Sequence, residues 1–138
     1  MTKHHFNNRQ KGSALLEATL VLMLFLTFLM SLFDFGYSLF LHQSFVHAAR
    51  SGARYGAINP SDLTAIKNMV LYNQTTGSGN GTMGLAPSAV AVARNGTPGG
   101  PDDRIVVTVS SYTYTLITPG FAGTRAGGSI VMTLPVEN

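Results

Sequence analysis

The sequence predicts an α+β fold: a long N-terminal α-helix, membrane-spanning in its first half and amphipathic in its second, packed on a small antiparallel β-sheet. Three observations carry that expectation. From Ser13 to Phe33 the chain is apolar, with Glu17 as its single ionisable side chain. Helical spacing of apolar and small residues then continues from Asp34 to Ala57. In the C-terminal part the period shifts to two, the alternation of half-buried strands.

As a helix rising about 1.5 Å per residue, residues 13–33 are long enough to cross a hydrocarbon core of about 30 Å. The preceding M-T-K-H-H-F-N-N-R-Q-K-G holds Lys3, Arg9 and Lys11, and Asp34 is the nearest charge on the far side. The positive-inside rule therefore places the N-terminus in the cytoplasm and the bulk of the chain outside it. A cleavable secretory signal has a shorter apolar core and a small-x-small site, whereas this run ends in S-L-F-D-F-G-Y-S, so removal on the far side is not expected. The net charge of +3 resides in the first twelve residues, because from Gly12 onward six basic side chains balance six acidic ones. No basic stripe with interleaved aromatics follows, which excludes nucleic acid as a partner. The absence of cysteine excludes disulfides, thiolate metal sites and a lipidated cysteine anchor.

Beyond the bilayer, Leu41, Phe45, Ala48, Gly52 and Tyr55 recur at spacings of three and four, while Gln43, His47, Arg50 and Arg54 occupy the opposite side. Ala48, Gly52 and Gly56 lie four apart beside Ala49, Ala53 and Ala57. The pattern suits a close helix contact of the small-xxx-small kind, or a helix whose alanines and glycines cover the core of the outer domain. Both readings put this stripe in an interface.

After Asn59-Pro60, Ser61 to Asn73 reads as a short helix with Ser61 as N-cap, Asp62 in the first turn, and Leu63, Ile66 and Val70 on one face. Gln74 to Gly84 reads as a flexible polar loop. Strands are expected at Ala89–Arg94, Arg104–Ile117 and Ile130–Val136, with a turn at Asn95-Gly96. Within the central one the apolar parity changes between Val109 and Tyr112, which predicts a bulge near Ser110-Ser111. The long helix is the natural cover for the buried face of this sheet.

No nucleophile with a base, paired carboxylates or metal cluster stands out, so a non-enzymatic chain without cofactor or metal is expected. His4 and His5 fall in the basic leader, and His42 and His47 are five apart rather than at ligand spacing. Asp102 and Asp103 sit in a Gly/Pro-rich turn, where they shape the loop or bind a cation weakly rather than act as an acid and base pair. G-S-G-N-G lacks the lysine and the strand-to-helix context of a phosphate loop.

The junction R-Q-K-G-S-A-L-L-E, a basic leader ending in Gly12 with an acid at the fifth position after it, resembles a type IV prepilin leader. The string D-F-G-Y-S-L-F-L-H-Q-S-F-V-H-A-A-R-S-G-A-R-Y-G-A, Asp34 to Ala57, resembles the helix of TadE-like pseudopilins. That resemblance implies a pilin-like molecule with a leader at 1–12, a transmembrane helix at 13–33, its extramembrane continuation at 34–57 and a small extracytoplasmic domain at 58–138. It implies cleavage between Gly12 and Ser13 by a prepilin peptidase on the cytoplasmic side, and often methylation of the new Ser13 amine. Glu17, one turn further along, would meet that amine in the same or a neighbouring subunit, because an ionisable group in an apolar segment is costly unless paired. The implied role is assembly in a tight-adherence (Flp-type) pilus. Its partners are the bilayer, the prepilin peptidase, the major Flp pilin, other minor pseudopilins and the inner-membrane platform. The implied location is the bacterial inner membrane, with passage to the cell surface on assembly. Relatives commonly carry a proline in the apolar run, and this chain has none there. The competing class is an uncleaved, single-pass, signal-anchored protein with a ligand-binding outer domain, in which Glu17 reaches interfacial water.

Overall fold

The computed structural model describes residues 8–137; Met1 to Asn7, which hold Lys3, His4 and His5 of the leader, lie outside the described residues. A single helix, α1 (Asn8–Ile58), runs through the Gly12–Ser13 junction and the whole apolar segment without a break. With no proline to remove a backbone hydrogen bond, nothing kinks it. Hydroxyl groups in the apolar stretch are satisfied within the helix: Thr19, Thr27 and Ser31 donate to the carbonyls of Leu15, Met23 and Thr27 at 2.8, 2.8 and 2.9 Å. A segment facing hydrocarbon requires such internal pairing. The helix ends where Asn59 and Pro60 follow.

A short helix, α2 (Leu63–Tyr72), follows after four residues. Its cap is Asp62 rather than Ser61: the Asp62 carboxylate accepts from Ala65 N–H at 2.8 Å, and Asn73 closes the other end in the left-handed conformation. The shorter helix results from this choice of cap, since Asp62 reaches the third N–H of the helix. The segment after α2, expected to be a flexible polar loop, is tied down. Tyr72 Oη donates to Gly79 O at 2.7 Å, Asn68 Nδ2 to Thr75 O at 2.9 Å and Thr82 Oγ1 to Leu71 O at 3.0 Å. Hydrogen bonds offset its scarcity of apolar side chains.

The strands form two antiparallel sheets. β1 (Val90–Asn95), β2 (Arg104–Val109) and β5 (Ile130–Pro135) make one in the order β1-β2-β5, while β3 (Thr113–Leu116) and β4 (Gly123–Ala126) form a separate hairpin. The parity change in the expected Arg104–Ile117 strand is therefore a break and not a bulge. Ser111 takes a left-handed φ of 58°, which ends β2 and swings the chain into a different sheet. β4 falls in a segment that reads as a loop, because its G-T-R-A is exposed throughout and has no alternating apolar side chain to announce it.

Helices α1 and α2 cover one face of the three-stranded sheet. Ile105, Val107 and Val109 of the central strand are completely buried there, against Leu41, Phe45, Ala49, Ala53, Ile66 and Val70. On α1 the buried stripe is Leu41, Phe45, Ala49, Gly52, Ala53, Gly56 and Ala57, with Ala48 and Tyr55 half-buried at its edge. The exposed side holds Gln43, His47, Arg50 and Arg54. The end of the chain closes the layer: Val136 N–H donates to Asp103 O at 3.0 Å and Glu137 N–H to Ala57 O at 2.9 Å.

The connection between β1 and β2 is organised by Asp103, which is buried. Arg94 grips it with two hydrogen bonds, Nε to Oδ1 at 2.8 Å and Nη2 to Oδ2 at 2.5 Å, and Gly99 N–H donates to Oδ2 at 2.8 Å. The guanidinium holds the carboxyl well below the usual carboxylate range, at about 2. Asp102 beside it is exposed.

Candidate functional site

The surface available for work is the first half of α1. Leu15, Leu16, Leu20, Val21, Leu22 and Met23 are all exposed, and they continue into Leu24, Phe25, Phe28 and Phe33. The most apolar eighteen residues of α1 have a mean hydropathy of 2.2, and none of that window is buried within the molecule. A soluble domain does not leave such a surface in water, so a bilayer or neighbouring helices must cover it. Glu17 lies on this surface beside a shallow groove lined by Ala14, Ala18, Val21, Leu22 and Phe25. Gly12 and Ser13 are exposed one turn before it, and a Cβ on Gly12 would meet no atom within 4 Å.

Further along, the three small residues Ala48, Gly52 and Gly56 separate. A Cβ on Gly52 would overlap Val70 Cγ2 and come within 3.3 Å of the Ile66 carbonyl oxygen. One on Gly56 would stand 2.8 Å from Ile66 Cδ1 and 3.0 Å from Ile105 Cγ2. Both glycines thus admit α2 and β2 to close contact with α1 inside this subunit. Ala48 instead borders a groove of about 300 Å³ with Phe45, Ser51, Met69 and Leu85, in which His47 is the one ionisable lining group.

The residue that sequence reading passed over is Asp34. It is buried, and its carboxylate accepts four hydrogen bonds from the turn between β3 and β4: from Ile117 N–H at 3.0 and 2.9 Å, Thr118 N–H at 2.8 Å and Thr118 Oγ1 at 2.6 Å. The signal was present. Asp34 falls seven and eleven residues before Leu41 and Phe45, on the same helical face, so an inward-facing carboxylate required donors from elsewhere in the fold. At the other end of the hairpin Tyr112 packs on Phe45, ring centroids 4.8 Å apart, and its hydroxyl shares a 2.8 Å hydrogen bond with His42 Nδ1. Among the described residues no group of three or more His, Cys, Asp or Glu side chains gathers to hold a metal.

A long uncovered apolar helix with a lone acid near its start, continuing into a stripe of small residues under a sheet, can be compared with known families. Residues 12–54 match the family described as TadE-like protein. That segment of the chain is similar to the TadE-like family. The match starts at Gly12 and ends within the packed half of α1, so the TadE-like segment contains the membrane helix, Glu17, Asp34 and Gly52, while Gly56 and the whole sheet domain lie beyond it. The matched segment includes the one helix among the described residues that is long and apolar enough to cross a membrane. No curated protein and no solved structure matches the chain.

Proposed function

We propose that this chain is a minor pseudopilin of a tight-adherence (Flp-type) pilus, trimmed after Gly12 by a prepilin peptidase and inserted through α1 to prime or join the filament. The observation that carries this reading is the coincidence of a family match beginning at Gly12 with a lone acid one turn beyond it, on a half of α1 left exposed among the described residues. Removal of the leader creates a Ser13 α-ammonium within reach of Glu17. In a low-dielectric bundle such a pair forms in one axial register, because an unpaired charge there is strongly disfavoured. The exposed leucines and phenylalanines around Glu17 supply the packing surface toward the major pilin and other minor subunits. The sheet domain, which a simple shaft subunit does not need, favours a tip, priming or adaptor position. The N-terminus is cytoplasmic before processing and the domain 58–138 extracytoplasmic, in contact with the assembly platform of the inner membrane.

The decisive experiment is co-expression with the cognate peptidase and mass determination of the N-terminus. A mature chain starting at Ser13 is expected, and Gly12→Val abolishes its formation. A chain that keeps Met1 overturns the pseudopilin reading in favour of a signal-anchored membrane protein. Glu17→Ala is expected to leave membrane insertion and trimming intact while the protein no longer co-purifies with other pilins; unchanged co-purification removes the amine-pairing role.

A further inference from the structure

The β3–β4 hairpin runs down α1 toward the membrane. Tyr112, before β3, contacts His42 and Phe45, whereas Ile117 and Thr118, after it, are bound by Asp34, two turns nearer the apolar segment. Beneath the hairpin lies a groove of about 270 Å³ lined by Ser31, Phe35, Tyr114, Leu116 and Arg125, so the hairpin reaches the level of residue 31. A helix entering hydrocarbon near Ser13 leaves it about twenty residues later, since the apolar core is about 30 Å thick. The turn is thus held at the height where α1 emerges.

Its side chains suit that height. Ile117 is 72% exposed, and Phe121, which also borders the groove, is 66% exposed. On α1 at the same level Phe33, Phe35, Tyr37 and Phe40 are also exposed, so the apolar belt surrounds the junction. Tyr114 and Arg125 are cross-strand partners on the groove side of the hairpin. Apolar side chains at a turn with an aromatic ring and an arginine just above match the layering of a headgroup region, where rings sit at the interface and cations meet phosphate.

The geometry points to a second membrane contact: the turn Ile117–Ala122 rests in the headgroup layer of the outer leaflet, with Ile117 and Phe121 inserted among the upper acyl chains and Asp34 as the positioning residue. The occupant of this surface is lipid. Asp34 fixes the turn at that depth by taking up Ile117 N–H and Thr118 N–H, donors that would otherwise need water. The contact rests on the membrane-spanning reading of α1, and the test separates the two.

The chain has no tryptophan, so one introduced indole reports alone. Three full-length variants, Phe121→Trp, Phe25→Trp and Val131→Trp, are reconstituted in phosphatidylcholine/phosphatidylglycerol vesicles containing lipid brominated either near the headgroup or near the acyl terminus. The replaced side chains are all exposed, so folding is preserved. Phe121→Trp is expected to emit to the blue of its detergent-free aqueous position and to lose about half its intensity to headgroup-proximal bromine, the behaviour of an interfacial ring. Phe25→Trp is quenched by the deeper bromine and Val131→Trp by neither. Adding Asp34→Ala to Phe121→Trp reduces its quenching while that of Phe25→Trp is retained. If Phe25→Trp is quenched and Phe121→Trp is not, the turn does not touch lipid and the inference falls with the span intact. A blue shift without quenching means that another protein surface, such as a second copy, covers the turn, and overturns it equally. If Phe25→Trp is unquenched by both lipids, the spanning reading fails and the lipid contact with it.

Discussion

The two halves of α1 share one backbone and differ in what their small and large residues do. In residues 13–33 most of the large side chains are exposed, while from Leu41 to Ala57 the buried stripe is made mostly of alanine and glycine. The outer half has small residues because α2 and β2 approach its axis closely; the inner half has large ones because its surroundings are fluid and fill any shape. Burial within this subunit therefore stabilises only the outer half, and the inner half is stabilised by whatever surrounds it.

Four measurements break or sharpen that contrast, beginning with the largest expected effect. Ile66→Ala empties a completely buried site between α1 and the sheet and should destabilise the domain by about 2–5 kcal/mol in denaturant titration. Leu22→Ala, an equal truncation on the uncovered half, should leave that titration unchanged; a comparable loss there would mean the two halves are not separate environments. A matched pair of glycines comes next. Gly52→Ala drives a methyl into Val70 and costs about 1–3 kcal/mol, whereas Gly36→Ala, where an added Cβ meets nothing within 4 Å, is neutral or gains up to about 1 kcal/mol of helix propensity. Removing the cap with Asp62→Ala should cost about 1 kcal/mol, visible as a lower domain melting temperature with membrane insertion unaffected.

The fourth is confined to acid. Asp103 has a folded-state pKa near 2, below its ordinary value of about 4 in an unfolded chain. Its pairing with Arg94 thus contributes fully at neutral pH and is lost as the pH falls through the interval between those values. The domain melting temperature should decline across that window, and Asp103→Asn should start lower at neutral pH and show a flatter decline. An unchanged slope would assign the acid sensitivity to other carboxylates.

What could be read in the sequence followed the strength of each physical signal. The long helix was legible because a bilayer demands sustained apolarity and a sheet demands a 3.6-residue stripe, and both were present without a helix breaker between them. The split between β2 and β3 was half-legible: the parity change at Ser110-Ser111 was visible, but a bulge and a break leave the same trace until the left-handed backbone of Ser111 is seen. β4 gave no trace, because a strand exposed on both faces has no alternation to reveal it. Gly12, Ser13 and Glu17 stood out by charge against an apolar background. Asp34 did not, because next to the end of the apolar run it read as a boundary charge, and its donors lie more than eighty positions away in sequence.

The head's packing on the rod is closed at its two extremes, by the Asp34 latch next to the apolar segment and by the Ala57–Glu137 hydrogen bond at the far end. A tug on the head would consequently load both attachments together and pass into the long helix. The head and the rod therefore take up a load as one bracket.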